Sequence, residues 1–155
     1  VNEVLNALRR DREKSRTMQS DGRYIREKGG DCQVYPAPFA VFLNKDNKTY
    51  VEPDISVICD PDKIDERGCN GAPDLIVEIV SPGTKARDLG IKLFKYRTAG
   101  VREYWVVNPM IEVTTVYLFS LTDEEAEIVD QIPFDKPVTS HIYPDFSITL
   151  AELLK

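Results

Sequence analysis

Two carboxylate side chains interrupt apolar segments of this chain and are its best candidates for chemistry. Asp54 immediately precedes the largely apolar segment 55–59, and Glu78 lies within segment 75–80, whose other residues are all aliphatic. Both segments are typical of strands in the middle of a sheet. A buried carboxylate without a partner costs several kcal/mol, or its pKa shifts until it is neutral. Two neighbouring acid-bearing strands therefore indicate a positive charge between them, and a divalent cation is the simplest candidate.

The alternation of side chains along the Glu78 strand decides which acid is its partner. Asp74 shares a face with Glu78, but four residues along a strand span about 13 Å, which is too far to share one ion. Asp74 is therefore predicted to have a cap or turn role at the start of the strand. Asp54, on the neighbouring strand, is the better partner. Two hard carboxylate oxygens with room for water molecules favour Mg²⁺ or Mn²⁺.

A helix is predicted from Thr84 to about Ala99, directly after the Glu78 strand. Asp88, Lys92 and Tyr96 follow at intervals of four residues, so they lie along one stripe of that helix. A lysine aimed at the Glu78 face places a fixed positive charge beside an attacking water or a phosphate oxygen, as phosphodiester hydrolysis requires. Tyr96 is expected to orient this lysine or to contact a phosphate.

Positive charge is concentrated around the same helix, although the whole chain carries a formal net charge of −6. Between residues 85 and 102 there are six basic residues and one acidic residue. Salt-dependent contact with a nucleic-acid backbone is predicted for Lys85, Arg87, Lys95 and Arg97. The alternative is that these four residues form an ordinary solvated helix face.

Each candidate residue also has a purely structural interpretation. Pro53-Asp54 is a common pair at strand breaks, and Glu78 with Lys92 is explained equally well as a buried ion pair without chemistry. Trp105 is interpreted as a core residue rather than a base-stacking platform. From the residues alone, the functional and structural interpretations both remain open.

Length and composition predict a single domain spanning residues 1–155. A chain of 155 residues with 42% hydrophobic content can bury one core. No apolar run reaches the length of a membrane span and no leader is visible, so we expect a soluble, cytoplasmic protein without a membrane partner. The three cysteines lack metal-site spacing and are predicted to be reduced thiols; they are Cys32, Cys59 and Cys69.

The order of predicted elements indicates an α/β (α+β) architecture. Residues 1–30 are predicted to be prone to helix, with an apolar stripe at Tyr24 and Ile25, while the almost wholly polar stretch 9–22 leaves a loop open as the alternative there. Strands follow from Cys32 onward, then the helix after Glu78, then further strands, the last of them around Ile142, and a terminal helix from Thr149. This order predicts a mixed sheet with helices packed against it.

Several segments in sequence closely resemble the Uma-type family of restriction endonucleases, a branch of the PD-(D/E)XK nuclease superfamily. The resemblance covers residues 32–109 and is specific, because the motifs occur in the family's order and spacing. The segments that carry it are 53–57, 71–84, 87–96 and 100–107.

The resemblance implies a restriction-endonuclease-like fold, with a central mixed sheet and a helix on each side, and a Mg²⁺ site on Asp54 and Glu78. In the superfamily's usual motif a lysine stands two residues after the strand glutamate, where this chain has Val80. The Uma-type family places the lysine on the following helix, and Lys92 matches that position, four residues before Tyr96. The N-terminal third departs from the family pattern. It has no histidine, and the candidates for an additional site acid are only weak ones: Glu3, Glu13 and Glu27.

Together these features predict a Mg²⁺- or Mn²⁺-dependent endonuclease that hydrolyses phosphodiester bonds in DNA. A homodimer is expected, because cutting two strands requires two sites and the family is often dimeric. Two other classes stay open: a catalytically inactive nucleic-acid-binding module that retains the fold, and an interaction module whose carboxylates only form ion pairs.

Overall fold

The computed structural model describes residues 17–18, 24–25, 32–46, 48–83, 86–119 and 127–153. Its strands are β1 Thr17–Met18, β2 Tyr24–Ile25, β3 Gln33–Pro36, β4 Val41–Phe42, β5 Ile55–Ile58, β6 Ile64–Asp65, β7 Gly68–Asn70, β8 Leu75–Ile79, β9 Glu103–Asn108, β10 Val113–Leu118, β11 Glu127–Pro133, β12 Pro137–Thr139 and β13 Ser147–Thr149. Its helices are α1 Ala86–Ala99 and α2 Leu150–Leu153, with a 3-10 turn at Pro61–Lys63.

A six-stranded mixed sheet in the order β11-β10-β9-β8-β5-β3 forms the centre of the fold. β8 and β9 are parallel and α1 connects them, because parallel neighbours need a crossover. The other neighbouring pairs in this sheet are antiparallel. β3 lies at the edge and ends at Pro36, where the missing backbone N–H costs least. The predicted mixed sheet is therefore confirmed.

Each face of the central sheet packs against its own hydrophobic cluster. Leu75, Val77 and Ile79 belong to the cluster that β12, β13 and α2 cover through Val138, Ile148 and Leu150. The opposite face carries Ile76, Val80, Tyr104 and Val106, and it packs against Leu89, Leu93 and Tyr96 of α1. Glu78 has the parity of the α1-covered face. The helix and the glutamate therefore meet on one side of the sheet.

Two predicted elements differ from the structure. Tyr24–Ile25 is a strand paired antiparallel with Thr17–Met18, not part of a helix. The segment around Ile142 is irregular, and the strands in this region are β12 and β13, which pair with each other. Short segments take their structure from pairing with a partner, and that partner is not visible in local sequence.

The prediction of reduced thiols was wrong for two of the three cysteines. Cys32 and Cys59 form a disulfide, whereas Cys69 is free and buried, and burial raises the pKa of its thiol to about 11. β3 and β5 are antiparallel with Gln33 opposite Ile58, so the continued register places Cys32 directly opposite Cys59. The sequence gives no sign of this register.

Among the residues that the structure describes, no helix is long and apolar enough to cross a bilayer.

Candidate active site

Glu78 is the centre of the site, because α1 places two polar side chains on its carboxylate. Glu78 is only 6% exposed. Lys92 Nζ donates a hydrogen bond to Oε2 at 2.8 Å, and the Tyr96 hydroxyl donates to Oε1 at 2.6 Å. Lys92 and Tyr96 lie one turn apart on the inner side of α1, as their spacing predicted. Lys92 and Tyr96 therefore meet Glu78 as predicted, but the fully buried Tyr96 hydroxyl bonds Glu78 itself rather than Lys92 or an exposed phosphate position. Asp88 lies on the same stripe, but its side chain is outside the described residues.

Asp54 reaches the same place from the neighbouring strand. β5 and β8 pair antiparallel with Ile55 opposite Val77, so the residue before β5 continues this register and lies opposite Glu78. Its Oδ2 accepts a hydrogen bond from the backbone N–H of Ile79 at 2.7 Å. This bond fixes the Asp54 carboxylate against the residue that follows Glu78. Both acids predicted for the site are therefore brought together.

Burial dominates the electrostatics of the site. It raises the pKa of the Glu78 carboxyl above its usual value, and hydrogen bonds from Lys92 and Tyr96 only partly offset this effect. The negative charge of Asp54 raises the Glu78 pKa further. Burial, followed by the charge of Glu78, raises the pKa of the Tyr96 hydroxyl, which therefore remains a donor at neutral pH. Two carboxylates that are close together and partly shielded from water repel each other, and a second positive charge beside them would reduce this repulsion.

The donor chemistry of the two acids fits a hard divalent cation that keeps several water ligands. In the described segments, no group of three or more histidine, cysteine or acidic side chains is placed to hold a metal. Mg²⁺ typically binds through one or two carboxylates and retains water. Asp54 and Glu78 supply that number.

Of the four basic residues predicted to contact a nucleic-acid backbone, the two whose side chains are described lie on different sides of α1. Lys95 is exposed, and the Arg97 guanidinium lies 5.7 Å from the centre of the Phe94 ring. Lys95 and Arg97 are two positions apart, about 200° around the helix, so they flank the Lys92–Tyr96 stripe on opposite sides. Lys85 and the side chain of Arg87 are outside the described residues. Whether any of the four contacts nucleic acid stays a prediction.

Other expectations for individual residues are resolved in the structure. Asp74 Oδ2 accepts the backbone N–H of Cys59 at 2.9 Å, so it does fix the start of β8. Trp105 is a core residue, almost fully buried. The candidate acids Glu3, Glu13 and Glu27 all lie outside the described residues.

Sequence reasoning missed two hydroxyls on the Glu78 side of the sheet. Ser56 and Tyr104 are fully buried, and neither hydroxyl has a hydrogen-bond partner in the described structure. Ser56 shares the strand parity of Asp54, a signal that was present in the sequence. Tyr104 could be assigned to this face only from the parallel register of β8 and β9, which pairs it with Ile76.

Comparison with known proteins agrees with this architecture. A crystal structure described as a "putative nuclease belonging to DUF820", from Anabaena variabilis, aligns with 99% of this chain and 75% of its own, with a TM-score of 0.57 and 18% identity. At this identity the likeness shows the shared fold, which is restriction-endonuclease-like. "Uncharacterized protein slr1290" from Synechocystis is 38% identical over 69 residues. That match covers 44% of this chain and 35% of the length of the Synechocystis protein.

The sequence pattern of the Uma2 family, described as "Putative restriction endonuclease", matches residues 14–152. This range contains both acids, the lysine and the tyrosine of the site, together with the whole central sheet. Membership supports a nuclease as the general class of function. The chain belongs to the Uma2 family.

Proposed function

We propose that this protein is a Mg²⁺- or Mn²⁺-dependent endonuclease that hydrolyses phosphodiester bonds in DNA. The observation that carries the proposal is the buried Glu78 carboxylate, which faces Asp54 on one side and receives Lys92 and Tyr96 on the other. Family membership supports the class of reaction, and the two carboxylates support the choice of cation.

Asp54 and Glu78 would hold the cation. When bound, Mg²⁺ supplies a Lewis acid for the phosphate and lowers the pKa of an attacking water. Lys92 keeps a positive charge beside the place where charge develops on the phosphate oxygens. Tyr96 holds one Glu78 oxygen in place, and the backbone N–H of Ile79 holds one Asp54 oxygen. These two hydrogen bonds keep both carboxylates oriented before substrate arrives.

The main competing explanation is that Glu78 and Lys92 are a structural ion pair. Lys92 retains 38% of its side-chain exposure, so an ion pair with it compensates only in part for burying a carboxylate. The raised pKa of Glu78 agrees with incomplete compensation, because burial is its largest cause. Such a site is better suited to gaining a cation than to stabilising the fold.

A nuclease assay with site variants tests the proposal. Supercoiled, linear and single-stranded DNA are incubated with wild type, Glu78→Gln and Lys92→Ala in Mg²⁺, Mn²⁺ or EDTA. We expect cleavage by wild type that requires metal, and losses of about 100-fold or more in both variants. Lys136→Ala, an exposed lysine between β11 and β12, is the matched control and should cleave like wild type.

Two outcomes would replace this proposal. Salt-sensitive DNA binding without metal dependence or cleavage would identify an inactive nucleic-acid-binding module. No thermal shift at millimolar metal, together with no DNA binding, would identify an interaction module.

A homodimer, a cytoplasmic location and a single domain over residues 1–155 belong to the same proposal. The Cys32–Cys59 disulfide makes the location worth testing directly, because disulfides are rare in the cytosol.

A further inference from the structure

The hydroxyl of Tyr104 is a buried polar group that lies close to the site and is not used by the proposed function. Tyr104 is fully buried, and its hydroxyl finds no hydrogen-bond partner among the described residues. A buried donor left unpaired costs about 1–3 kcal/mol, and such groups are rare in folded proteins. A residue that carries this cost requires an explanation.

The position of Tyr104 connects it to the carboxylates. It pairs with Ile76 in the parallel β8–β9 ladder, two residues before the pair formed by Glu78 and Val106, so its side chain lies on the Glu78 face. Its ring meets the ring of Tyr96 edge to face, with centroids 5.1 Å apart. Tyr96 is the residue whose hydroxyl binds Glu78. Tyr104 is therefore packed directly behind the residue that orients the glutamate.

Packing alone does not explain a tyrosine at this position. The same cluster includes Phe119, whose ring lies nearly parallel to that of Tyr104 at 6.4 Å between centroids. A phenylalanine at position 104 would make the same ring contacts without burying an unpaired hydroxyl. The hydroxyl therefore has a use beyond filling the core.

The charges that act on the Tyr104 hydroxyl connect it to Glu78 and Asp54. Burial is the largest cause of the raised pKa of Tyr104, and the negative charge of Glu78 is the next, with Asp54 also contributing. The charges of both carboxylates thus act on the hydroxyl, although it is hydrogen-bonded to neither. Each carboxylate has about four lone-pair sites, so acceptor capacity remains after the bonds from Lys92 and Tyr96.

We propose that Tyr104 is a positioning residue, whose hydroxyl donates to the Asp54–Glu78 carboxylate pair when a divalent cation is bound. This inference rests on the proposed function, because it concerns the same two acids. Asp54 and Glu78 would hold the cation, and the Tyr104 hydroxyl, which has no partner in the described metal-free structure, would add a neutral donor to the one that Tyr96 supplies. Such outer donors commonly orient the ligands of a metal.

The test is calorimetric titration of the protein with Mn²⁺ alone, with thermal unfolding measured in parallel. The variants are Tyr104→Phe, Asp54→Asn and Tyr117→Phe. Tyr117 is the matched control, because its ring stacks on Tyr104 at 5.9 Å from the next strand, β10. We expect Tyr104→Phe to weaken Mn²⁺ binding by about 10-fold or more. Its metal-free melting temperature should not fall, and Tyr117→Phe should bind like wild type.

Three results would overturn the inference in distinguishable ways. If wild type binds Mn²⁺, Asp54→Asn does not, and Tyr104→Phe binds like wild type, then Tyr104 has no positioning role and the proposed metal site stands. If Tyr117→Phe weakens binding as much as Tyr104→Phe, the effect comes from general packing. If wild type gives no Mn²⁺ binding, the metal site and the role of Tyr104 both fail.

Discussion

At the scale of single residues, the negative charge of Glu78 lies at a buried position, where it is unfavourable unless a positive charge compensates it. Its carboxylate is buried, and Lys92 and Tyr96 each bond one of its oxygens. Burial raises its pKa despite these bonds. The ionised side chain therefore reduces the stability of the metal-free fold at neutral pH. This is the pattern expected where stability has been given up for function.

Glu78→Gln should consequently stabilise the metal-free protein at neutral pH. The neutral amide removes the buried charge, and we expect the melting temperature to rise by about 2–4 °C. The sign follows from linkage, because an acid with a raised pKa in the folded state favours folding only when protonated. The difference between variant and wild type should thus shrink as pH falls through the raised pKa towards 4.5, the usual value for a glutamate.

Thermal unfolding from pH 8 to pH 4 in EDTA checks this prediction, and a second series in Mg²⁺ serves as its control. Metal should stabilise only the wild type and reverse the order of the two proteins. A variant that is less stable than wild type at neutral pH without metal would show that the Glu78–Lys92 pair is a net stabilising ion pair. It would thereby favour the structural interpretation of the site.

The site residues that the sequence revealed are those whose placement depends on local periodicity. Strand alternation placed Glu78 and helical spacing placed Lys92 and Tyr96, and both rules act over a few residues. Tyr104 was missed because its place depends on the register between β8 and β9, which are connected through the whole of α1. Long-range register is not encoded in a local pattern.

At the scale of elements, the end of α1 fixes the position of Tyr96. The Val101 N–H donates to the Tyr96 carbonyl at 3.0 Å, and the Gly100 N–H donates to that of Arg97 at 3.0 Å. Gly100 has φ +95°. These features form a Schellman motif, in which glycine occupies the left-handed position after the last helical residue. The cap therefore anchors the turn that carries the Glu78 donor.

The two glycines of this region provide a matched pair for a test of that cap. A Cβ added at Gly90 or at Gly100 would meet no atom within 4 Å, but only Gly100 has a positive φ. Gly90→Ala should stabilise by about 0.5–1 kcal/mol, because alanine favours the helix. Gly100→Ala should destabilise by roughly 1–2 kcal/mol, because a side chain is strained at this φ.

Chemical denaturation measures both changes, and DNA cleavage shows whether the cap affects the site. Gly90 is exposed and lies about 200° around α1 from Lys92, so its variant should cleave like wild type. Equal effects of the two substitutions on stability would contradict the assignment of the cap.

A second buried carboxylate shows that burial alone does not identify an active site. Glu103 is fully buried at the start of β9 and accepts hydrogen bonds from Trp105 Nε1 at 2.6 Å, Ser140 Oγ at 2.8 Å and the backbone N–H of Ile142 at 3.1 Å. These donors are neutral, and those from Ser140 and Ile142 tie the segment after β12 to the central sheet. Glu78 differs because its donors include a half-exposed lysine and it faces another acid.

At the scale of the whole molecule, the sequence predicted the central sheet and its crossover helix better than the short strands outside that sheet. The apolar segment 75–80 and the helix predicted from Thr84 to about Ala99 match β8 and α1 closely, and these elements form the centre of the sheet and its crossover. At Tyr24–Ile25 and in the region of β12 and β13, the prediction differs from the structure. β1 pairs with β2 and β12 pairs with β13, and such pairing depends on tertiary context rather than on composition.

The charge of the whole molecule gives the last prediction. A formal net charge of −6 disfavours contact with DNA in general, so the proposed DNA binding would depend on a few well-placed cations. Lys95 is exposed on α1, beside the stripe that reaches Glu78. Each phosphate contact releases condensed counterions, so its loss changes the salt dependence of binding. Lys95→Gln should therefore reduce the slope of log K against log salt by about 1.

Fluorescence anisotropy of a labelled duplex, measured in EDTA between low and moderate salt, gives this slope. Lys136→Gln is the control, because it removes the same charge from a turn that is not part of α1. A general charge effect would alter both variants alike, because long-range repulsion depends on net charge rather than on position. A smaller slope in Lys95→Gln alone would place DNA along α1, beside the two acids. Identical slopes for wild type and Lys95→Gln would require the DNA to approach by another surface.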